Sequence, residues 1–330
     1  MNTFENTQNN IYTFSDVEQS SMGEFLIGEL EKLDQKRYGP MYNPTYKRDI
    51  DFRTDVQLID TASSFVKYYF RASNGNNGQQ VAAQNPASNT APEVNFEYTK
   101  YTQPLYMIQR AVSYNFIELK RSIALGRPID SALYDALMLA HDMEMERLVY
   151  IGDKTKNTTG LLNNADAITK EVSLNAKWSD PTTTPDAIVK DVNDMFSAAW
   201  KNTNYNILPK RMLMSPTLYS TLVSRKVSEA GNVSILNYVK ENSIVRNTLG
   251  IDPEIYPLKW LEDKIPDAIT NRIVVYEKRE DFIRLPYVPL QRITPIELFN
   301  SGYKANYHAL YGGMEVVYPE TLNYFKVKTA

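Results

Sequence analysis

Residues 131–164 read SALYDALMLAHDMEMERLVYIGDKTKNTTGLLNN, and their first part has the period of an α-helix. Apolar residues recur at the i, i+3, i+4 and i+7 spacing of one helix face, at Ala132, Leu133, Ala136, Leu137, Ala140 and Leu148. Gly126-Arg127-Pro128 blocks extension of the helix backwards, and Gly152 ends it. The segment therefore predicts the longest helix of the chain, at about 131–150, with Leu161 and Leu162 returning to the core.

The polar stretch after this helix has the composition of either a turn or a phosphate-binding loop. Asp153-Lys154-Thr155 matches the start of the Asp-Lys-Thr-Gly-Thr phosphorylation motif of P-type ATPases. That motif requires a glycine where this chain has Lys156, and it follows a buried strand instead of a helix. Phosphate also favours a helix N-terminus, whereas Asp153 follows a helix C-terminus, where the dipole favours cations. We therefore interpret the stretch as a polar turn and predict no catalytic role for it.

Composition limits the classes of protein that this chain can belong to. It has 330 residues, of which 43% are hydrophobic and 12% aromatic, which is enough for a substantial core. The formal net charge is −3 and no basic stripe occurs, so a dedicated reader of nucleic-acid sequence is not expected. The absence of cysteine excludes disulfides and thiolate metal sites. The first residues lack the pattern of a signal peptide, and no apolar run approaches the ~20 residues that span a bilayer, so we expect an intracellular, soluble protein.

The two histidines, His141 and His308, offer little for metal binding or catalysis. His141 and Glu144 have the i, i+3 spacing of a di-iron site, but no second Glu-x-x-His pair exists. Neither histidine lies near a nucleophile motif, although a hydrolase that uses paired carboxylates remains open. We predict no enzyme activity, no cofactor and no metal. His141 is expected on the helix surface, and a solvated or interface face is expected to contain the acidic residues Asp142, Glu144 and Glu146.

The chain before the long helix is predicted to contain a polar arm, a helix and two strands. Residues 1–19 are rich in Asn, and a helix is predicted from about Ser21. Apolar and polar residues alternate between residues 46 and 116, as they do in strands. An outgoing strand near residues 65–70 is separated from a returning strand by residues 73–92, SNGNNGQQVAAQNPASNTAP. That stretch has too little apolar content to order itself.

The chain after the long helix mixes helical and strand patterns, so the predicted fold class is α+β. Helices are predicted at residues 185–200, 216–223 and 233–240. Strands are predicted at residues 211–214 and at 272–276, where the sequence is RIVVY. The C-terminal third again has strand patterns, with prolines at positions that favour sheet edges and turns.

The order of these features resembles that of the major capsid proteins of tailed bacteriophages, which share the Hong Kong phage-type capsid fold. The resemblance covers residues 25–325 and depends on four segments in order. They are FLIGELEKLDQKRYGP, APEVNFEYTKYTQPLYMIQRAVSYNFIELKRSIALG, SALYDALMLAHDMEMERLVYIGDKTKNTTGLLNN and YGGMEVVYPETLNYF. The third segment ends in the family's Gly-Asp…Gly-Leu-Leu-Asn turn.

This resemblance implies a domain organisation and a function. The implied parts are an N-terminal arm with an amphipathic helix (1–48), an extended β-loop (49–103), a peripheral domain (104–180) with a spine helix at about 131–150, an axial α/β domain (181–285) and a return to the peripheral domain (286–330). The implied function is that of a major capsid (head) protein. Its copies would self-assemble into hexamers and pentamers of an icosahedral shell that encloses double-stranded DNA.

The resemblance also implies contacts, partners and a location. The candidate subunit-contact residues are Phe4, Tyr12, Phe14, Phe65, Tyr68, Phe70, Asp153, Lys154 and Asn157. Expected partners are other copies of the chain, scaffolding and portal proteins, and packaged double-stranded DNA bound without sequence specificity. No membrane, small-molecule substrate or cofactor is expected. The protein is expected in the virion capsid after assembly in the cytoplasm of a bacterial host. Because about twenty polar residues precede the first helix, we expect a separate scaffolding protein or none.

Two alternatives remain at the level of sequence. Encapsulin nanocompartments share this fold and enclose cargo enzymes instead of a genome, and another phage structural protein, such as a tail or head-decoration protein, is the second alternative. The prominent arm and the long extended loop favour the viral interpretation. A β-arm leaves backbone edges and apolar residues uncovered until neighbours cover them, so the arm and the loop are expected to become ordered only on assembly.

Overall fold

The computed structural model describes residues 40–73, 93–124, 129–168, 172–173, 177–227, 232–263, 266–267, 269–270 and 272–327. The chain divides after Tyr42, and the architecture below is that of Asn43–Ala330. Several predictions lie outside the described residues: the polar arm with Phe4, Tyr12 and Phe14, the helix from Ser21, and residues 74–92 of the polar stretch.

The described chain contains both helices and strands, the latter in two sheets, and the α+β prediction is confirmed. The helices are α1 (Tyr46–Asp49), α2 (Phe116–Ala124), α3 (Ile129–Tyr150), α4 (Ala165–Ile168), α5 (Pro185–Asn202), α6 (Pro216–Ser224), α7 (Ile235–Asn242) and α8 (Ile244–Leu249). The strands are β1 (Asp51–Arg53), β2 (Ala62–Ser73), β3 (Glu93–Asn115), β4 (Val172–Ser173), β5 (Arg211–Met214), β6 (Glu254–Pro257), β7 (Arg272–Tyr276), β8 (Ile283–Arg292), β9 (Glu297–Phe299), β10 (Gly302–Gly312), β11 (Glu315–Val316) and β12 (Leu322–Lys326).

In the described part of the chain, the larger sheet has seven strands in the order β1-β8-β10-β3-β2, with β11 paired to β8 and β9 paired to β10. β3 has 23 residues and changes partner along its length. Up to Pro104 it pairs antiparallel with β2, and from Leu105 onward it pairs antiparallel with β10. The predicted outgoing and returning strands are therefore confirmed, and together they form a long β-hairpin whose second strand continues into the sheet.

The smaller sheet has five described strands in the order β4-β12-β7-β5-β6 and separates two hydrophobic cores. β7, the predicted RIVVY strand, is central and its side chains alternate between the two sides. Val274 and Tyr276 lie in one core with α3, whereas Ile273 and Val275 lie in the other with α5 to α8. The sheet also includes β12 from the C-terminal end of the chain. The domain boundaries given above stay predictions.

Local capping signals explain where the helices of the second core begin. Thr184, Ser215 and Ser234 each accept a hydrogen bond from a backbone N–H in the first turn of α5, α6 and α7. Pro185 and Pro216 then occupy the first helical position, where a missing N–H costs no intrahelical bond. The predicted helices at these places are confirmed. No helix in the described ranges is both long and apolar enough to cross a membrane.

Candidate functional site

The turn after α3 is held by contacts with the last turn of that helix. Gly152 has a φ of +79°, and a Cβ placed on it would lie 2.3 Å from the Thr158 carbonyl oxygen. The Leu162 backbone N–H donates to the Tyr150 carbonyl at 2.9 Å. Leu161 and Leu162 are fully buried. The predictions that the chain leaves the helix at Gly152 and returns to the core at these leucines are confirmed.

Asp153 caps the short 3₁₀ turn Lys154–Lys156. Its Oδ1 accepts hydrogen bonds from Thr155 N at 2.9 Å and from Thr155 Oγ1 at 2.7 Å. Donation from Thr155 holds the pKa of Asp153 below its ordinary value. The backbone N–H of Asp153 donates in turn to Thr158 Oγ1 at 2.9 Å. These bonds are those of a capped polar turn, and no group of three or more potential metal ligands occurs among the described residues.

The predicted contact residues within the described chain lie on two separate elements. Asp153, Lys154 and Asn157 lie on this turn, where Lys154 and Asn157 are exposed. Phe65, Tyr68 and Phe70 lie on β2, and no hydrogen bond or ring contact among the described residues joins Phe65 or Tyr68 to the turn. Their role as subunit contacts, together with that of Phe4, Tyr12 and Phe14, stays a prediction.

One face of the β2–β3 hairpin consists of large side chains that are exposed to solvent. Tyr68 lies opposite Tyr98, and Val66 lies two residues away on the same face. The exposed fractions are 57% for Val66, 70% for Tyr68, 67% for Phe96 and 77% for Tyr98. We call these four residues the hairpin exposed face. Monomeric soluble proteins rarely leave a contiguous apolar surface of more than a few hundred Å² uncovered, so this face has the character of an interaction surface.

The opposite face of the hairpin makes contacts within its own chain. Phe65 stacks on Tyr101 with ring centroids 5.2 Å apart. Lys67 Nζ lies 5.2 Å from the centre of the Tyr101 ring and 5.6 Å from that of Tyr318. A cleft of about 540 Å³ lies beside these residues and is lined also by Met314. The predicted contact residue Phe65 therefore already has an intramolecular partner.

A buried carboxylate fixes the base of the hairpin. The Glu315 side chain is fully buried, and Arg284 Nε donates to its Oε2 at 2.7 Å. Ser63 at the start of β2 donates to Glu315 Oε1, and Arg53 Nη1 lies 3.5 Å from the same oxygen. Arg53 also donates to the Ser64 carbonyl at 3.0 Å. Two guanidinium groups and a hydroxyl thus join β1, β2, β8 and β11 at one point.

A second buried network joins α1 to α3 and to the smaller sheet. Asp49 is fully buried and accepts hydrogen bonds from Tyr150 Oη at 2.6 Å and from Arg48 Nε at 2.7 Å. Arg211 on β5 lies 3.6 Å from the same carboxylate, and Tyr276 Oη donates to the Asp49 carbonyl at 2.7 Å. Burial, reinforced by the Asp49 charge, raises the pKa of the Tyr150 hydroxyl above its ordinary value. The network holds α1 against α3 and the smaller sheet.

Two predictions about α3 are wrong. His141, expected on the helix surface, is fully buried, and its Nε2 lies 2.9 Å from Tyr287 Oη. Burial lowers the pKa of His141, which favours the neutral imidazole. Glu146, expected on a solvated or interface face, is fully buried, and its Oε2 accepts from Lys259 Nζ at 2.7 Å. Glu144 is partly exposed and forms an ion pair with Arg110.

Sequence reasoning missed both networks of buried charge. Arg53 and Glu315 are 262 positions apart, and Asp49 and Tyr150 are 101 positions apart. Each of these residues is of a type that usually lies on the surface, and no local motif connects it with its partner. Only the three-dimensional pairing distinguishes these charges from solvated ones.

The buried charges hold the base of the hairpin and α1 in place, and the hairpin exposed face is uncovered within the described part of the chain. A family model described as major capsid protein matches residues 80–326, which is more than half of the chain. The chain belongs to the major capsid protein family. No curated protein sequence matches it.

Solved structures with the same fold include the capsids of a phage and of a GTA particle. The capsid of Myoviridae Phage XM1 has a TM-score of 0.70 and 15% identity, over 91% of this chain and 98% of that chain. The capsid of the native GTA particle has a TM-score of 0.58 and 13% identity, over 92% and 97%. Microbacterium phage Oxtober96 has a TM-score of 0.57 and 12% identity, over 95% and 99%. The resemblance to the tailed-phage major capsid fold is confirmed.

Proposed function

We propose that copies of this chain assemble into hexamers and pentamers that close into an icosahedral shell around double-stranded DNA. The observation that carries the proposal is the hairpin exposed face, which the described chain leaves uncovered. A neighbouring copy that covers this face would remove four large side chains from water, at about 25 cal/mol for each Å² of apolar surface. Membership of the major capsid protein family supports a second copy of the chain as the partner.

The chemistry of the hairpin exposed face suits a repeated contact of moderate strength. Tyr68 and Tyr98 combine a large ring with a hydroxyl that stays hydrogen-bonded at a wet interface. One such contact between two copies is weak, but a closed shell repeats it many times, and each copy is then held by several neighbours at once. Because a single contact is weak, misplaced copies can dissociate before the shell closes.

Further subunit contacts, partners and a location are proposed for this protein. Asp153, Lys154 and Asn157 on the turn, and Phe4, Tyr12 and Phe14 in the arm, are proposed to contact neighbouring copies. The protein is proposed to act in the virion without catalysing a reaction, after assembly in the bacterial cytoplasm with scaffolding and portal proteins. Contact with packaged DNA is proposed to be non-specific, since the chain has no basic stripe of the kind that a sequence-reading protein carries.

The proposal is tested by removing the hairpin exposed face without disturbing the sheet. The double variant Tyr68→Ser/Tyr98→Ser is expected to keep the circular dichroism spectrum of the wild type and to lose assembled particles in sedimentation and electron microscopy. Tyr238→Ser is the control, because Tyr238 is also exposed, at 37%, but lies on α7. Assembly of the double variant at the wild-type yield would contradict the proposed role of this face.

The contents of the particle separate the viral function from the alternative. Particles recovered from the cells in which the chain is naturally made are expected to protect double-stranded DNA from nuclease. Particles that contain a cargo enzyme and no DNA would favour the nanocompartment shell instead. A chain that forms no particle under either condition would favour another phage structural protein.

A further inference from the structure

A cleft of about 270 Å³ lies between the loop that follows α5 and the 3₁₀ turn Pro319–Thr321 that precedes β12. None of the residues that line it belongs to the hairpin exposed face or to the turn after α3. Small-molecule sites usually have volumes of roughly 300–1,000 Å³, so this cleft suits a ligand of roughly one or two rings. It is therefore a candidate site for a small molecule.

Side-chain amides form one part of the lining of this cleft. They are the amides of Asn202, Asn204 and Asn206. Asn202 Nδ2 donates to Asn323 Oδ1 at 2.5 Å, and Asn206 Nδ2 donates to the Thr203 carbonyl at 3.0 Å. Because an amide has two N–H donors and a carbonyl acceptor, each of these two groups is held in place by one bond and can make others. The cleft thus offers both donors and acceptors to a ligand.

Apolar side chains form a second part of the lining. Ile207, Phe282 and Tyr318 line the same cleft. The rings of Phe282 and Tyr318 meet edge to face with their centroids 5.7 Å apart, and Tyr318 is 47% exposed. Since the two rings hold each other in place, the apolar surface is fixed before any ligand binds.

The loop that carries the amides has an unusual backbone conformation. Asn204 and Tyr205 have φ angles of +52° and +62°, which are uncommon outside glycine and unusual for a side chain as large as tyrosine. Thr203 Oγ1 lies 2.7 Å from the carbonyl oxygens of both Trp200 and Ile207, and it accepts from the Ile207 N–H at 3.1 Å. Strained conformations persist where the surrounding contacts enforce them, and they concentrate at ligand sites.

The chemistry of the lining disfavours several classes of ligand. The one charged residue among the lining residues is Glu320, so no basic side chain is present to hold an anion. One carboxylate supplies too few ligands for a metal ion, and the described residues contain no group of three or more potential metal ligands. A wholly apolar ligand would leave the amides without partners, which costs free energy. A neutral molecule with both hydroxyl and C–H surfaces matches the cleft.

We propose that the cleft binds a neutral sugar ring. The hydroxyls of the ring exchange hydrogen bonds with the amides of Asn202, Asn204 and Asn206. The C–H face of the ring packs against Phe282 and Tyr318. A free sugar and a residue of a polysaccharide share this chemistry. Binding by a single chain is sufficient, so the inference does not depend on the proposed self-assembly.

The test is a titration of the purified full chain with glucose, galactose, N-acetylglucosamine and maltose, followed by saturation-transfer difference NMR. Saturable binding of at least one of these sugars is expected. Asn204→Gly removes an amide and tolerates the left-handed backbone, and it is expected to weaken binding by about two- to tenfold. Asn204→Asp removes only the N–H donors and is expected to weaken binding as well. Asn300→Gly is the control, because Asn300 is exposed with a φ of +48° and does not line the cleft.

The outcomes decide both the site and the class of ligand. Binding that weakens in both Asn204 variants and not in Asn300→Gly supports the inference. Tighter binding of an oligomer than of its monomer then identifies a polysaccharide as the source, and equal affinities identify the free sugar. No saturable binding of any of the four sugars, or unchanged affinity in both Asn204 variants, would overturn the inference. Binding of glucosamine alone, lost in Glu320→Gln, would reveal a cation site and overturn it too.

Discussion

Gly152 and Gly250 have the same left-handed backbone conformation in different surroundings. Their φ angles are +79° and +73°. A Cβ on Gly152 would lie 2.3 Å from the Thr158 carbonyl oxygen, whereas a Cβ on Gly250 would have no neighbour within 4 Å. The two positions therefore separate the cost of the backbone conformation from the cost of a steric clash.

Alanine at these two glycines is expected to destabilise the protein by different amounts. Gly250→Ala is expected to cost about 1 kcal/mol, which is the penalty of a left-handed residue with a Cβ. Gly152→Ala is expected to cost more than about 3 kcal/mol, because the backbone of the turn must also move. Urea unfolding of the purified variants measures both values, and equal losses would show that the turn after α3 yields to the added methyl group.

The long helix α3 shows which properties of single residues can be predicted from the sequence. The role of Gly152 was predictable, because the helical period ends there and the next residues are polar. The burial of His141 and Glu146 was not, because periodicity locates a residue on a helix without showing what packs against it. Their partners Tyr287 and Lys259 come from strands and turns more than a hundred positions later. α3 is covered on more sides than its apolar stripe indicates.

The hairpin base contains a buried and an exposed carboxylate that share the partner Arg53. Glu315 is fully buried, and Asp55, which accepts from Arg53 Nε at 2.6 Å, has 64% of its side chain exposed. A buried charge that loses its partner keeps its desolvation cost, whereas an exposed ion pair exchanges its partner for water.

Removal of these two carboxylates is expected to have unequal effects. Glu315→Ala leaves Arg53 and Arg284 without their shared partner and is expected to destabilise the protein by roughly 3–5 kcal/mol. Asp55→Ala is expected to cost less than about 1 kcal/mol. The free energy of unfolding in urea tests both, and hydrogen exchange at the backbone of β2 is expected to quicken only in Glu315→Ala. A small loss in Glu315→Ala would indicate that water replaces the carboxylate.

Alternation of apolar residues predicted β2 and β3, yet it extended the returning strand one residue too far and missed α2. α2 begins at Phe116, so the prediction of strand at that residue is wrong. The sequence does contain a signal for the start of this helix. Asn115 Oδ1 accepts from the Ile117 N–H at 3.1 Å, and Glu118 Oε2 accepts from the Asn115 N–H at 3.1 Å. An Asn followed three residues later by Glu is a capping pair that starts a helix.

The two hydrophobic cores lie on opposite sides of the smaller sheet and share its strands. Val274 and Val275 are consecutive on β7, and their side chains lie in different cores. Neither core can lose its packing without exposing one side of the same strands, so we expect Asn43–Ala330 to unfold as one cooperative unit.

This pair of residues provides the test of cooperative unfolding. Val274→Ala and Val275→Ala are each expected to lower the stability of one common transition by roughly 2 kcal/mol, from lost burial and a small cavity. Differential scanning calorimetry of unassembled protein is expected to give equal calorimetric and van't Hoff enthalpies. Two transitions, with each variant shifting only one of them, would show that the cores unfold independently.

Sequence patterns predicted the kinds of element in both sheets but not their order. β7 was identified from its apolar run, because a buried strand needs no partner information to be recognised. Its neighbours β12 and β5 come from residues 322–326 and 211–214, and nothing local in either segment specifies which strand it joins. Strand order depends on contacts between distant segments, which one sequence does not reveal.

The long strand β3 can convert a small rotation at the base of the hairpin into a larger displacement at its far end. The part of β3 that pairs with β2, residues 93–104, extends about 40 Å at the usual rise of a strand. It continues without interruption into the part that pairs with β10, so a tilt of about 10° at the base would move the far end by about 7 Å. In the proposed shell, copies at sites of different curvature would reach their neighbours by small rotations of the β2–β3 hairpin as a unit. The sheets behind it would keep their hydrogen bonds unchanged.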